Sequence, residues 1–373
     1  MINQFTGDAQ GDITDLARGG NDTFTGGTNA ENTFVGDAGG NLSGHAVGGN
    51  DKFIGGAGGN NTFYGDAMGD ITGYAEGGSD IFSGGSGSGN LNLVFGDAGG
   101  TMLGHAEGGN DKITGGDGAV NLFVGESIDM TDFAEGGKDT FRGGSGSGTI
   151  NIVYGDAFGT MSGHAEGGKD AFRGGNNGAM NFFTGDADKM TDFAQGGNDR
   201  GFGGTDATNE LYGDATFMSG HSKGGNDILT GGNVTTRAPQ GTFDSTLYGD
   251  AQSMTDQARG GNDRLVSGTG NDLMFGDAQT RALTAIGGDD TFVFKAMNGH
   301  DQIGDFGQGV AGSNWGVDHI DLSAFDIDNF KQLDIASVHN ADGSYDSTIN
   351  LNSGNDVVVH SLAMLNARDF WFA

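Results

Sequence analysis

One repeated sequence unit dominates the chain. Ten copies run from the first residues to about Asp290, and each passes from Gly-Asp-Ala through a Met, Leu or Ile to Gly-Gly-x-Asp and an apolar residue. The copy from Gly155 to Gly175, GDAFGTMSGHAEGGKDAFRGG, has all of these features. A period of this kind is typical of repeat proteins, in which each unit packs only on its neighbours. We therefore predict an array over residues 1–290 and a separate C-terminal region over residues 291–373.

The repeat is regular apart from one long step and one divergent turn. Most steps between Gly-Gly-x-Asp aspartates are 28 to 31 residues long. The longest step, 36 residues, contains an insertion around NVTTRAPQGTFDST and the only proline, Pro239. One Gly-Asp-Ala copy diverges to Gly125-Glu126-Ser127.

The composition indicates a chain that binds cations. Asp and Glu outnumber Lys and Arg by 50 to 17, which gives a formal charge of -33 and opposes binding to nucleic acid or anionic membranes. An acidic chain with 78 glycines would ordinarily be disordered, but its 26 Phe and 12 Met recur at regular intervals. We expect a chain that is disordered alone and folds once a ligand neutralises its charge. There is no cysteine, which excludes disulfides and thiolate chemistry.

Each unit contains three short apolar segments bounded by Gly, Asp or Asn. In the second unit they are NTFY ending at Tyr64, ITGYA from Ile71 to Ala75, and DIFS ending at Ser83. These segments are too short for helices and are rich in Phe, Ile, Val, Tyr and Thr, so they predict the strands of an all-β parallel solenoid. Apolar residues at the strand centres are the expected core: Phe34, Phe53, Phe63, Phe82, Met102, Met130, Phe141, Met161, Phe172 and Met190.

A second periodicity bears on how the strands are arranged. The position three residues after the central Met, Leu or Ile alternates, because His45, His105, His164 and His221 occur in every second unit. The units between them have Tyr74, Phe133 and Phe193, so the full repeat is nearly 60 residues. A β-roll with two strands per coil would place successive units on opposite sheets and explain this alternation. We therefore prefer the two-sheet roll, with a three-sided parallel β-helix as the alternative.

The turns resemble those of a known family. GGNDTFTGG from Gly19 to Gly27 and SGTGNDLMFGD from Ser267 to Asp277 resemble the Gly- and Asp-rich nonapeptide of RTX, or haemolysin-type, proteins. The resemblance implies a parallel β-roll with calcium between its turns. Calcium prefers six to eight oxygen ligands, which turn carbonyls and aspartates can supply. Many turns depart from the family pattern, as in Ala46 to Asp51, where two family glycines are replaced.

Two sets of aspartates are the candidate calcium ligands, together with Asp272 in the nonapeptide-like turn. The first set closes the Gly-Gly-x-Asp turns: Asp22, Asp51, Asp80, Asp111, Asp139, Asp170, Asp199, Asp227, Asp263 and Asp290. The second set lies in the Gly-Asp-Ala turns, where an aspartate can instead bond only its own turn amides: Asp37, Asp66, Asp97, Asp156, Asp186, Asp214, Asp250 and Asp277.

The histidines suggest zinc or catalysis, but their spacing opposes one shared zinc ion, which leaves only a single histidine with a neighbouring Asp or Ser as a possible metal site. Successive histidines of the row lie two or three coils apart, roughly 10 to 14 Å, which is too far for one zinc ion. We expect His45 and its equivalents to be surface residues, and Tyr74, Phe133 and Phe193 to form an exposed aromatic row that a partner could bind. No sequence element pairs one nucleophile with one base, so the sequence predicts no enzyme.

The C-terminal region resembles the end of many RTX proteins, where a β-rich segment closes the roll and leads to an export signal that is not cleaved. The last residues, HSLAMLNARDFWFA, place Asp369 before the apolar Phe370-Trp371-Phe372. The resemblance implies type I secretion from a Gram-negative bacterium into the extracellular medium or onto the cell surface. It agrees with a start, MINQFTGDAQGD, that predicts no cleaved N-terminal signal, and with the lack of an apolar run long enough to span a membrane.

The N-terminal end suggests self-association. Asn3 to Ala9 already match Asn32 to Ala38, so the repeat begins without a capping segment, and a bare terminal coil exposes strand edges. We expect this face to stack on another copy. The sequence thus predicts a secreted, calcium-folded scaffold of a surface layer, matrix or adhesive, with a calcium-dependent binding module as the main alternative and a secreted enzyme as a more remote one.

Overall fold

The computed structural model describes residues 1–236, 239–311, 313–352 and 354–373. Arg237 and Ala238, within the predicted insertion, lie outside the described residues. The chain forms a parallel β-solenoid of about eleven coils with almost no helix, which confirms the predicted fold class. Each repeat unit forms one coil of the solenoid. A coil whose strands are all paired contributes one strand to each of three sheets, and these sheets are the three faces of the solenoid.

The first face of the solenoid is a 14-stranded sheet whose strands precede the Gly-Asp-Ala turns. Its parallel strands are Ile2–Thr6, Glu31–Val35, Asn60–Tyr64, Leu91–Phe95, Val120–Val124, Ile150–Tyr154, Met180–Thr184, Thr208–Tyr212, Ser245–Tyr248, Asp272–Phe275 and His300–Phe306. Within the described residues, Ile2–Thr6 pairs on one side only, with Glu31–Val35.

The other two faces follow the two Asp-containing turns. The second face, after Gly-Asp-Ala, has nine strands: Leu42–Gly44, Ile71–Gly73, Thr101–Gly104, Asp129–Met130, Ala157–Met161, Ala187–Met190, Ala215–Met218, Ala251–Met254 and Ala278–Arg281. The third face, after Gly-Gly-x-Asp, has twelve strands: Thr23–Thr25, Lys52–Ile54, Ile81–Ser83, Lys112–Thr114, Thr140–Arg142, Ala171–Arg173, Arg200–Phe202, Ile228–Thr230, Arg264–Val266, Thr291–Val293, His319–Asp321 and Phe370–Trp371.

The preferred two-sheet roll is therefore wrong, and the three-sided alternative is observed. Equivalent residues of successive units lie directly beside each other, as Phe34 pairs with Phe63 and Lys52 with Ile81. The alternation that favoured two sheets has another cause. The alternating rings stack on one another across neighbouring coils, with His45 and Tyr74 ring centroids 5.2 Å apart.

The interior has two apolar compartments. Between the first and third faces, Phe34, Phe53 and their equivalents are buried, and their rings stack with centroids 6.0 Å apart or less along the first coils. Under the second face the core consists of small residues around one larger one, as in Ala38, Leu42 and Ala46. All ten predicted core residues are buried. The Asp-containing turns lie where the second face meets the other two.

The C-terminal region extends the first and third sheets. Three strands, Asn355–Ser361, Tyr345–Asn352 and Asp334–His339, continue the first sheet, and the last two pairings are antiparallel. Phe370–Trp371 adds to the end of the third sheet, and Phe370 is buried. Two single 3-10 turns, Phe330–Gln332 and Ala367–Asp369, complete this region.

Candidate functional site: two columns of buried carboxylates

The aspartates of the repeat form two columns inside the solenoid. Column A contains the Gly-Asp-Ala aspartates, which lie where the first face turns into the second. Column B contains the Gly-Gly-x-Asp aspartates, which lie where the second face turns into the third. All eight predicted members of column A, Asp37, Asp66, Asp97, Asp156, Asp186, Asp214, Asp250 and Asp277, are buried. In column B only Asp22, in the first coil, is not: Asp51, Asp80, Asp111, Asp139, Asp170, Asp199, Asp227, Asp263 and Asp290 are buried.

Backbone amides bind one oxygen of most of these carboxylates. In column A, the Gly49 amide donates to Asp37 at 2.6 Å, a bond that crosses from one turn to the other within the same coil. In column B, the amide of Asp139 donates to the carboxylate of Asp170 in the next coil, also at 2.6 Å. These bonds fix the carboxylates inside the solenoid and leave their second oxygens free to bind something else.

The second oxygen has no hydrogen-bond partner in most coils. In column A this is true of Asp37, Asp66, Asp97, Glu126, Asp186, Asp214 and Asp250. In column B it is true of Asp51, Asp80, Asp111, Asp139, Asp170, Asp199, Asp227, Asp263 and Asp290. An unpaired buried carboxylate oxygen is costly, and a full row of them calls for protons or bound cations.

Glycine carbonyls converge on these unpaired oxygens. A methyl group placed on Gly36 would fall 1.8 Å from the Gly65 carbonyl oxygen and 1.9 Å from Asp51 Oδ2. The same construction on Gly65 meets the Gly96 carbonyl oxygen at 1.5 Å and Asp80 Oδ2 at 2.0 Å. Only glycine fits these positions, because any side chain would fill the space in which a carbonyl and a carboxylate oxygen meet.

This donor set fits calcium better than a transition metal. Calcium accepts carboxylate and backbone carbonyl oxygens together in flexible geometries. Among the described residues, no group of three or more His, Cys, Asp or Glu side chains is arranged to hold a metal ion. A cation in these columns would therefore need the glycine carbonyls as ligands in addition to the aspartates.

Burial and mutual repulsion raise the pKa values of both columns. Desolvation raises the pKa of Asp51 from 3.8 to about 8, and the nearby Asp37 and Asp22 add to the shift. Desolvation also raises the pKa of Asp37 to about 7. The pKa of Asp170 is raised well above its ordinary value by burial and then by the charges of Asp156, Asp139 and Asp199. Without a cation, burial thus favours the protonated form of these groups over a wider pH range than for an exposed aspartate.

Near the C-terminal end of the solenoid, several carboxylates have charge or hydrogen-bond partners that the carboxylates of earlier coils lack. The largely buried Arg281 guanidinium lies 3.2 Å from Asp277 Oδ2. Arg281 occupies the second-face position that holds Met or another apolar residue in the other coils. Asp318 accepts amide hydrogen bonds at both oxygens, from Asp290 and Gly307. Asp305 accepts three, from Gly276, Asp277 and Ala278. Here the protein's own groups neutralise or bond the carboxylates that elsewhere have one unpaired oxygen.

Asp272 lies apart from both columns, at the corner between the third and first faces. In most coils this corner has a buried asparagine, and these form a ladder of Asn32, Asn61, Asn92, Asn121, Asn151, Asn181 and Asn209. Ser245, Asp272 and Asp301 continue it. Asp272 Oδ1 is buried and unpaired, and so is Oδ1 of the nearby Asn298. Asp272 is therefore a candidate ligand at a separate site.

The alternating rings form one exposed stack on the solvent side of the second face. Its members are His45, Tyr74, His105, Phe133, His164, Phe193 and His221, with successive centroids 5.0 to 5.2 Å apart. Tyr74, Phe133 and Phe193 are each half exposed or more. An aromatic ring separates every two histidines, so no two of these imidazoles can bind the same metal ion.

Sequence reasoning missed several residues of these sites. Glu126 occupies column A in place of aspartate, and its position in the divergent Gly-Glu-Ser turn was the available signal. Asp301 and Asp318 follow Asp272 and Asp290 by 29 and 28 residues, so the repeat spacing extended past residue 290 would have found them. The asparagine ladder was visible as an asparagine at the second residue of every first-face strand from Glu31–Val35 to Thr208–Tyr212.

Comparisons of the sequence with protein-family models and with curated proteins found no match. Within the described residues, no helix is long and apolar enough to cross a lipid bilayer.

Proposed function

We propose that this chain is a calcium-binding structural protein whose solenoid folds when calcium fills the carboxylate columns. The observation that carries the proposal is the row of buried, unpaired carboxylate oxygens, many of them beside glycine carbonyls. Asp51, Asp80 and their equivalents in column B would supply one set of charges, and Asp37, Asp66 and their equivalents in column A the other. Each bound calcium would offset two buried negative charges and would displace the protons that burial otherwise favours on these aspartates.

The proposed setting is extracellular. The resemblance of the turns to RTX repeats and of the final residues to a type I export terminus supports secretion from a Gram-negative bacterium, with the secretion machinery as a transient partner. Low calcium in the cytosol would leave the acidic chain unfolded for export, and calcium outside would fold it. A charge of -33 and the many unpaired carboxylates support this coupling of folding to calcium.

The proposed role is that of a self-associating scaffold in a surface layer, matrix or adhesive, and not that of an enzyme. The same coil is repeated along most of the chain, which suits an extended structural element. Ile2 and Phe5 are exposed on Ile2–Thr6, and exposed apolar side chains on this strand support association through the first coil.

Circular dichroism during a calcium titration, followed by electron microscopy of the same sample, tests this proposal. We expect little β-structure in chelator, a cooperative gain of β-structure with calcium, and assemblies in the folded sample. Magnesium is the matched control, because its demand for octahedral geometry and retained water suits these sites poorly. A chain that is fully folded in chelator would contradict the calcium proposal, and a folded monomer at saturating calcium would contradict the scaffold.

A second candidate function is calcium-dependent binding of a ligand or a host surface by the exposed ring stack. The observation that favours it is the continuity of seven stacked rings, because exposed aromatic rows are common at interaction sites. Under this alternative the columns fold the solenoid and the rings recognise the partner.

A further inference from the structure

The outer surface of the third face has a basic patch on an otherwise acidic protein. Four exposed cations, Lys112, Arg142, Arg173 and Arg200, lie on successive strands of this face. The whole chain has 17 Lys and Arg residues, so this is an unusual concentration. The side chains between them, Thr114, Thr140 and Ala171, are uncharged.

The basic patch has no anionic partner in the described parts of the chain, where none of its four cations forms an ion pair. Arg142 and Arg173 are direct neighbours in the register of adjacent strands. Like charges at directly opposed positions destabilise a sheet. Arg173 also lies over the ring of Phe202, 5.4 Å from its centroid, which holds the guanidinium over the sheet. A persistent cluster of this kind suits binding of a multiply charged anion.

The chain also presents a matching acidic row. Glu76, Glu107, Glu135 and Glu166 are exposed and occupy one position in four successive coils, just before the Gly-Gly-x-Asp turn. We call these four residues the glutamate row. No ion pair involves any of them in residues 1–236, 239–311, 313–352 and 354–373. Neighbouring positions of this row are separated by the strand spacing of about 4.8 Å. In the basic patch Arg142 and Arg173 are neighbours in the same way, whereas Lys112 and Arg200 lie at the other end of their strands.

We propose that the basic patch binds the glutamate row of a second copy of this chain. Four successive coils each contribute one exposed cation to the basic patch, and four successive coils each contribute one exposed glutamate to the glutamate row, so the long side chains of the two sets can pair coil by coil along the solenoid axis. The two surfaces differ, so the contact is heterologous and leaves a free basic patch and a free glutamate row at its ends. Such a contact extends sideways into sheets or bundles. This contact rests on the proposed scaffold function and adds a lateral contact surface to it, separate from the first coil.

Charge reversal with mixing tests this pairing. One variant is Arg142→Glu with Arg173→Glu, and the other is Glu107→Arg with Glu135→Arg. At saturating calcium and low salt, sedimentation should show that each variant alone associates at least roughly tenfold more weakly than the wild type. An equimolar mixture should recover association, because each variant then meets a complementary surface on the other. Lys331→Glu with Arg368→Glu is the control for net charge and should associate like the wild type.

The remaining outcomes are decisive. Undiminished association of either variant, or failure of the mixture to recover, would overturn the pairing. Binding of the wild type to an acidic polysaccharide without self-association would also overturn it and assign the patch to a different partner. Circular dichroism of the same samples separates this result from the calcium proposal, because all substituted residues are exposed and each variant should fold with calcium like the wild type.

Discussion

Two corners of the solenoid solve the burial of polar side chains in different ways. At the corner between the third and first faces, Asn151 donates to Gly144 and Asn181 and accepts from Gly144 and Asn121, at 2.8 to 2.9 Å. At the corner between the second and third faces, Asp170 accepts one amide hydrogen bond and leaves Oδ2 unpaired. Amides can both donate and accept, so a stack of them is complete in itself, whereas carboxylates only accept.

The difference indicates which part of the coil can form alone. The asparagine ladder and the phenylalanine compartment beside it need no ligand, since their polar and apolar groups are all matched by equivalent groups in the next coil. The aspartate columns place like charges on top of one another at every coil. Their folding therefore depends on what occupies them, namely protons or cations.

The largest expected effect is that of pH on the calcium-free chain. The pKa values of Asp156, Asp37 and Asp51 are raised by burial from 3.8 to about 6, 7 and 8 in the fold. The folded state therefore binds more protons than the unfolded state, and its stability falls as pH rises from about 4 to about 8. Thermal unfolding of calcium-depleted protein should show a midpoint that decreases across this range.

Under the proposed function calcium should reverse that trend, because it would bind the deprotonated carboxylates and its affinity would rise with pH. The same melting series in excess calcium is the control. A calcium-free chain that becomes more stable between pH 4 and pH 8 would contradict the buried columns.

Exchanging amide and carboxylate between the two corners should have opposite effects. In calcium-free protein at about pH 5, where protons occupy the columns, Asp170→Asn removes a carboxylate that must take up a proton on folding, and it should stabilise the fold by about 1–3 kcal/mol. Asn151→Asp removes two donated hydrogen bonds and adds a buried carboxyl group, which should cost about 3 kcal/mol or more. Urea unfolding of both variants and the wild type measures these free energies.

Calcium provides the matched comparison for the same pair. Asp170→Asn should bind fewer calcium ions by isothermal titration calorimetry and lose its advantage over the wild type when calcium is present. Equal stability changes for the two variants in chelator would show that the corners do not differ.

The smallest expected effect concerns the exposed rings, which stack like the asparagines but face solvent. Replacing Phe133 and Phe193 by Ser removes stacking contacts with His105, His164 and His221, worth roughly 0.5–1.5 kcal/mol for each stacked pair. Calcium-induced folding by circular dichroism should survive. Loss of adhesion to a surface that the wild type binds would favour the binding-module alternative, and unchanged adhesion would oppose it.

The sequence allowed prediction of the solenoid, its core and most of the buried aspartates, because a strict repeat places equivalent residues next to each other. It misled us on the number of faces. His45 and Tyr74 alternate because they contact each other between coils, a relation between residues 29 positions apart that we read as a property of the coil itself. The asparagine ladder was overlooked for a related reason, since Asn61 or Asn92 alone reads as an ordinary turn residue. Arg281 could not be assigned to column A until the fold brought it to Asp277.

The register between coils has a further consequence for how such a molecule can change size. Thr208–Tyr212 and Ser245–Tyr248 pair in the usual register although the step between their coils is 36 residues, so the extra length lies outside the strands at one corner. Because successive coils contact each other through equivalent residues, a whole coil could be added or removed without changing the types of contact between coils. Each such change lengthens or shortens the solenoid by about 4.8 Å. The number of repeats therefore sets the length of the solenoid, and duplication of the DNA that encodes one repeat would increase the distance that the protein spans.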